Sequence, residues 1–187
     1  MFGAPEVKQL HEGAALTGDG GKFEGYASLF DIADLGKDVV MRGAFTQSLT
    51  RRGARGVKLL WQHSASEPIG AWLSLEEDSR GLKVRGKLNL AVERAREVHA
   101  LMRDGSVDGL SIGYRTEKAM RDRKSGLRHL QKLDLWEISV VTFPMLPQAR
   151  VSAVKRGYFP AGGIVNRAEA SASEVKRTLR EAAIFLR

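Results

Sequence analysis

The stretch AWLSLEEDSRGLKVRGKLNL, residues 71–90, holds two apolar runs separated by a turn. Trp72, Leu73 and Leu75 precede the tetrapeptide DSRG, and Leu82, Val84, Leu88 and Leu90 follow it. A period of two sends apolar side chains to one face of an extended chain, and Asp, Ser and Gly between two such runs close a hairpin. Working outward, KFEGYASLF at 22–30 alternates Phe23, Gly25, Ala27 and Leu29 against Glu24, Tyr26, Ser28 and Phe30, as in a strand buried on one face. VVM at 39–41 reads as a short strand, GVKLLWQH at 56–63 as another, and SASEPIG, containing Pro68, as the loop after it. VDGLSIGYR at 107–115 and LQKLDLWEISVVTFP at 130–144 add two more strands. Helices interrupt them twice. GAFTQSLTRRG sets Phe45 and Leu49 four apart, with Gly53 as its stop, and residues 92–104 repeat Val92, Ala95, Val98 and Met102 at helical spacing before Gly105.

Strands joined by hairpins, without regular β-α-β alternation, predict an α+β fold: a mainly antiparallel, barrel-like β core with surrounding helices. The chain divides into an N-terminal segment (1–21), one domain (22–160) and a C-terminal tail (161–187). In that tail AGGIVNRAEASAS reads as a linker, and SEVKRTLREAAIFLR, with Val175, Leu179, Ala182, Ala183 and Leu186 in a stripe, as a helix.

Composition narrows the chemistry. No apolar run in the 187 residues approaches the ~18 that a membrane helix needs. MFGAPEVKQLHEG lacks the basic start and apolar stretch of a secretory signal. With no cysteine there are no disulfides, thiolate metal sites or cysteine nucleophiles. The net charge of +8 invites an acidic partner, and its densest patches are RRGAR at 51–55 and RDRK at 121–124. Each sits between apolar segments, as a solvated turn does, and neither contains an aromatic side chain on which bases could stack.

Three residues could carry a reaction. Glu137 lies in LDLWEISVVTF with apolar neighbours on both sides, so its carboxylate needs a partner, either an arginine in an ion pair or a histidine. Of the four histidines, His63 closes an apolar strand just before a loop, where a side chain is held firmly yet reaches a cleft. No second histidine or carboxylate stands at a metal-ligand spacing from it. Ser111 sits between Leu110 and Ile112, whose face, with Tyr114, can pack in a core; Ser111 and Gly113 leave the opposite face nearly bare. Small residues there serve either packing or the close approach of a substrate. A serine hydroxyl becomes nucleophilic when an imidazole takes its proton and a third group fixes the imidazole tautomer. Spacing alone does not bring Ser111, His63 and Glu137 together.

The blocks FEGYASLFD, GAFTQSL, LLWQHSASEPIG, DGLSIGY and LWEISVVTFPMLPQARV occur in that order between Lys22 and Val154. In this they resemble the prohead (capsid maturation) serine proteases of tailed bacteriophages, related in fold to the herpesvirus assemblins. The resemblance implies a serine endopeptidase without a cofactor: Ser111 as nucleophile, His63 as base, and Glu137 at the position where assemblins use a second histidine. Asp134 and Glu67 stand as alternatives for that third role. It further implies oxyanion donors from the loop Pro144–Arg150, and Gly113 as clearance for a substrate backbone. The implied work is cleavage of scaffold, or of the scaffolding segment of the major capsid protein, and of the protease's own tail. That work belongs inside a prohead assembling in the bacterial cytoplasm, for a phage, a prophage or a gene transfer agent. A homodimer is compatible with it, and a membrane is not. The competing expectations are an inactive capsid-binding scaffold of the same fold and, with less support, a basic nucleic-acid-binding module.

Overall fold

The computed structural model describes residues 20–154. The segment before Gly20, the linker and the C-terminal helix expected from the sequence lie outside the described residues, as does His11. Ten elements follow in order: β1 (Lys22–Leu29), β2 (Asp38–Val40), α1 (Thr46–Gly56), β3 (Lys58–Trp61), β4 (Ser64–Glu77), β5 (Gly81–Leu88), α2 (Glu93–Asp104), β6 (Gly109–Arg121), β7 (Arg128–Val141) and β8 (Val151–Val154).

The 71–90 hairpin forms as β4 and β5, antiparallel with Trp72 opposite Gly86 and Leu75 opposite Val84. Its turn is held by Asp78, whose Oδ1 accepts the N–H groups of Arg80 and Gly81. Trp72, Leu82, Val84 and Leu88 are buried, whereas Leu73 is exposed because a bulge between Trp72 and Ser74 changes the alternation. Gly86 leaves the room in which Phe23 packs edge-on to Trp72 at 5.6 Å between ring centroids.

The strands make one sheet in the order β2-β7-β3-β4-β5-β1-β8, with β6 on β7. Most pairs are antiparallel, but β2 and β3 both run parallel to β7. These two pairings join segments far apart in the chain, which local alternation does not encode. Ala149 to Val151 completes the curl: Leu110 donates to the Ala149 carbonyl, Val151 to Asp108, and Tyr26 to Arg150, so β6 and β1 meet across this segment. The core inside is mainly aliphatic, with Leu59, Leu82, Leu110, Leu130, Leu135 and Ile138 almost entirely shielded, and Phe23, Phe45 and Trp72 add aromatic rings to it. Helix α2 closes one side through buried Ala95, Val98 and Met102, and Gly105 ends it in a left-handed conformation.

Three local expectations change. SASEPIG is the first half of β4, not a loop; Pro68 fits because the β3–β4 register shifts on both sides of Leu60, its partner. Gly53 does not end α1 but interrupts it with φ of 62°, and the helix continues to Gly56. In β1 a bulge between Tyr26 and Ser28 reverses the alternation, so Ser28 and Phe30 are buried and Leu29 is not fully so.

Candidate active site

Trp61 pairs with Ser64, leaving Gln62 and His63 as a two-residue hairpin loop with φ of 50° and 60°. Positive φ at both central positions is the requirement of a type I′ turn, usually filled by Asn-Gly. Here two larger residues take it, and β7 holds them there. Gln62 donates its N–H to the Val140 carbonyl and its side-chain amide to Thr142 Oγ1, 2.8 Å away. The His63 N–H donates to Ser139 Oγ at 3.0 Å. Thus the turn projects the imidazole over β7 rather than away from it.

Glu137 receives that imidazole. His63 Nδ1 lies 2.6 Å from Glu137 Oε1, and the Ser139 hydroxyl donates to Glu137 Oε2 at 2.7 Å. The Glu137 side chain is 14% exposed and that of His63 43%. The hydrogen bond from Glu137, opposed by burial and aided by the carboxylate charge, raises the His63 pKa above its ordinary value. With Nδ1–H given to the carboxylate, the Nε2 lone pair is left for a substrate or a hydroxyl.

Ser111 is on the next strand. On β6 it stands opposite Ser139, and Gly113 stands opposite Glu137. Cross-strand partners share a face, so Ser111, Gly113, Ser139 and Glu137 form one small patch beneath His63. Ser111 is 5% exposed, and among the described residues its hydroxyl has no hydrogen-bond partner. No hydrogen bond joins Ser111 to His63 among the described residues.

Gly113 is small for a different reason than substrate access. A Cβ there would lie 2.7 Å from Glu137 Cδ and 2.8 Å from Cγ, overlapping the carboxylate itself. Its clearance belongs to Glu137.

The alternative acids are engaged elsewhere. Asp134 is buried and accepts from Arg51, Arg52 and Trp136; the Arg52 hydrogen bond first, then that of Trp136, holds its carboxyl well below the usual carboxylate range. Glu67 accepts from Arg94 at 2.9 Å. Of the other histidines described, His129 contacts Met41 Sδ and His99 lies on α2. Ser139 was not singled out in the sequence. The available signal was its position two residues after Glu137, which puts both side chains on one face of a strand.

A cleft of about 120 Å³ opens beside Ser111, bounded by Ile112, Tyr114, Met145 and the carboxylates Asp34 and Asp38. It runs along the edge of β6 that has no strand partner beyond Gly109 among the described residues. Asp38 is bound by Arg128 and by the Tyr114 hydroxyl, the Arg128 hydrogen bond being the main reason its pKa is lowered. Leu35 donates to the Met145 carbonyl and ties the 31–37 loop to the 142–149 loop above the cleft. A Cβ at Gly109 would lie 2.5 Å from the Val141 carbonyl oxygen and 2.8 Å from Cδ of Pro144 in that second loop.

A mixed sheet curled on itself, two helices and a serine strand beside a histidine–carboxylate pair define a viral-protease-like fold. A solved structure with this fold is KSHV protease in complex with a hexapeptide phosphonate inhibitor, with a TM-score of 0.50 at 13% identity over 89% of this chain and 77% of that one. The chain belongs to the caudovirus prohead serine protease family, whose family model matches residues 8–161. The prohead protease of Enterobacteria phage HK97 is 39% identical over 146 residues, 75% of this chain. That of Escherichia phage T5 is 27% identical over 124 residues, 66% of this chain. The matches span 64% and 58% of those two relatives' lengths. A capsid polyprotein of Pseudomonas phage PAJU2 is 32% identical over 106 residues, 16% of its own length. No helix among the described residues is long and apolar enough to cross a membrane.

Proposed function

We propose that the chain is a serine endopeptidase of capsid maturation, with Ser111 as nucleophile, His63 as general base and Glu137 as the group that orients and charges the imidazole. The observation that carries this is the 2.6 Å contact between His63 Nδ1 and Glu137 Oε1, on a patch whose next strand presents Ser111. His63 Nε2 takes the Ser111 proton as Oγ bonds to the scissile carbonyl carbon. The same proton passes to the leaving amine as the C–N bond breaks; a water, deprotonated by His63, then bonds to the acyl carbon, and Ser111 Oγ leaves and takes that proton back from His63. Glu137 keeps Nδ1–H donated throughout and stabilises the imidazolium. The loop Pro144–Arg150, beside Gly109 and Leu110, is the source of N–H donors for the oxyanion. An extended peptide fits the open edge of β6, hydrogen-bonding to its backbone within the cleft.

The substrate is the scaffold or the scaffolding segment of the major capsid protein inside a prohead in the bacterial host, together with the protease's own tail. Family membership supports this, as does the relative named a capsid polyprotein, in which a matching segment occurs within a capsid chain. The test is mass spectrometry of the capsid protein N-terminus after incubation of its precursor with the wild-type chain or with Ser111→Ala. Shortening by the wild type alone is expected. Equal shortening by the variant, whose melting temperature should be unchanged, refutes the assignment.

A further inference from the structure

The last third of β6 continues past the cleft as the outer strand of the sheet, paired among the described residues with β7 alone, while the first residues of β7, Arg128–Leu130, pair with β2 on their other side; with its turn and Lys132 it forms a basic ribbon along that edge. Residues 117–121 are exposed without interruption, on both faces. Between Arg115 and Lys132 the chain carries seven Lys or Arg against two acidic residues, Glu117 and Asp122, and hence +5 of its net +8. Three of the seven are neutralised or engaged: Arg128 binds Asp38, Arg115 lies 3.8 Å from Asp134, and Arg121 donates to the Gly126 carbonyl. Lys118, Arg123, Lys124 and Lys132 form no ion pair among the described residues, and Arg121 has no carboxylate within 4 Å.

The register makes this costly. Lys118 stands directly opposite Lys132, and Arg121 opposite Arg128. Like charges facing each other across a strand pair destabilise it. Arg128 has Asp38 to offset its share, but Lys118 and Lys132 have nothing comparable. Such a surface is one that an anionic partner would relieve.

Geometry selects the partner. The ribbon is the direct continuation of the two strands that bear Ser111 and Glu137, and the open edge of β6 runs from the cleft into it. A polypeptide seated along that edge at Ser111 is led into the cations. Bases, by contrast, find no Phe, Tyr or Trp to stack on between residues 115 and 135, and the exposed ring next to that stretch, Trp136, is tied by its indole N–H to Asp134. We infer that the β6–β7 ribbon docks an acidic segment of the protein substrate, and that it selects substrates by charge at a distance from the scissile bond. This depends on Ser111 acting as a peptidase nucleophile. Strands rise about 3.3 Å per residue, so Lys118 is roughly 23 Å and Arg121 roughly 33 Å from Ser111. The acidic tract should therefore lie about seven to ten residues from the cleaved bond.

Full-length Ser111→Ala protein is titrated into fluorescein-labelled decaglutamate, followed by anisotropy. The comparison protein adds Lys118→Gln, Arg121→Gln, Arg123→Gln, Lys124→Gln and Lys132→Gln. Binding that weakens with salt and drops at least about tenfold in the five-site variant is expected. Neutralising Arg55, Lys83 and Lys87 elsewhere on the surface should change it by less than about threefold. Equal binding by the five-site variant overturns the inference. So does tighter binding of a 20-nucleotide single strand or duplex that is lost with the same substitutions. Should the five-site variant fail to fold, Lys132→Glu alone turns the like-charge pair into an opposite pair. It should raise the melting temperature while weakening decaglutamate, and unchanged binding refutes the docking surface. A serine-reactive phosphonate on the wild type separates the two ideas. Labelling without decaglutamate binding overturns the ribbon's role and leaves the peptidase standing. Binding without labelling overturns the peptidase, and with it the assignment of the acidic segment to a substrate.

Discussion

Gly113→Ala tests the site at its tightest point. The added Cβ would sit 2.7 Å from Glu137 Cδ, whereas carbon atoms pack comfortably at about 3.5–4.0 Å. The carboxyl carbon must therefore retreat by about 1 Å, because the β6 backbone is fixed by its ladder to β7. Oε1, which the Cβ would meet at 1.9 Å, must move further still, so the 2.6 Å contact to His63 Nδ1 loses its length and alignment. His63 then loses both its fixed tautomer and the carboxylate that stabilises its cation. Losing such a third group from a triad costs up to about 10⁴ in turnover, so a fall in kcat of about 10²–10⁴ is expected, with KM little changed. Overpacking should also cost about 1–3 kcal/mol of stability. The assay is steady-state cleavage of a peptide spanning the capsid processing site, with a thermal melt to show that the variant is folded. A folded Gly113→Ala enzyme with wild-type kcat would mean that Glu137 does not act through His63, or that Gly113 does not guard it.

Three further outcomes follow from the same contacts. Because Glu137 raises the His63 pKa and the base must be neutral, kcat/KM should rise with pH through a value above about 6.5. In Glu137→Gln that acid limb should move down in pH while the plateau falls, and an unmoved limb would assign the upward shift to another group. Ser139→Ala removes the acceptor of the His63 N–H and the donor to Glu137 Oε2 in a fully buried position, so a loss of about 1–3 kcal/mol by chemical denaturation is expected, with a smaller loss of kcat than in Glu137→Gln. Asp38 and Asp134 both have lowered pKa values, through Arg128 and through Arg52 respectively. Their contribution is present above the unfolded carboxylate value of about 3.9 and is lost as pH falls through their folded values; a melting temperature that holds steady from pH 5 to pH 2 would contradict it.

Much of the architecture was legible because it is local. Alternation in 71–90 specified the β4–β5 hairpin, and the spacing of Ala95, Val98 and Met102 with Gly105 specified α2, since a side chain's face follows from period and a helix end from one glycine. The errors also have local causes. Turn-like residues in SASEPIG suggested a loop, yet the true turn is Gln62–His63, where the residue types give no warning of positive φ. Contacts with Val140, Ser139 and Thr142 impose it.

By itself the sequence determined that the chain builds strands with two helices, that Glu137 would need a partner, and, through its five blocks, which family it belongs to. Only the tertiary structure decided that the partner is His63 and not an arginine, that Arg51 and Arg52 are instead committed to Asp134, and that Gly113 makes room for Glu137. The reason is that at the site the partners are far apart in the chain, Lys58 and Gly113 both standing opposite Glu137 and Ser111 opposite Ser139, and two of β7's three neighbours run parallel to it. Periodicity tells which way a side chain points. Register alone tells what it meets there.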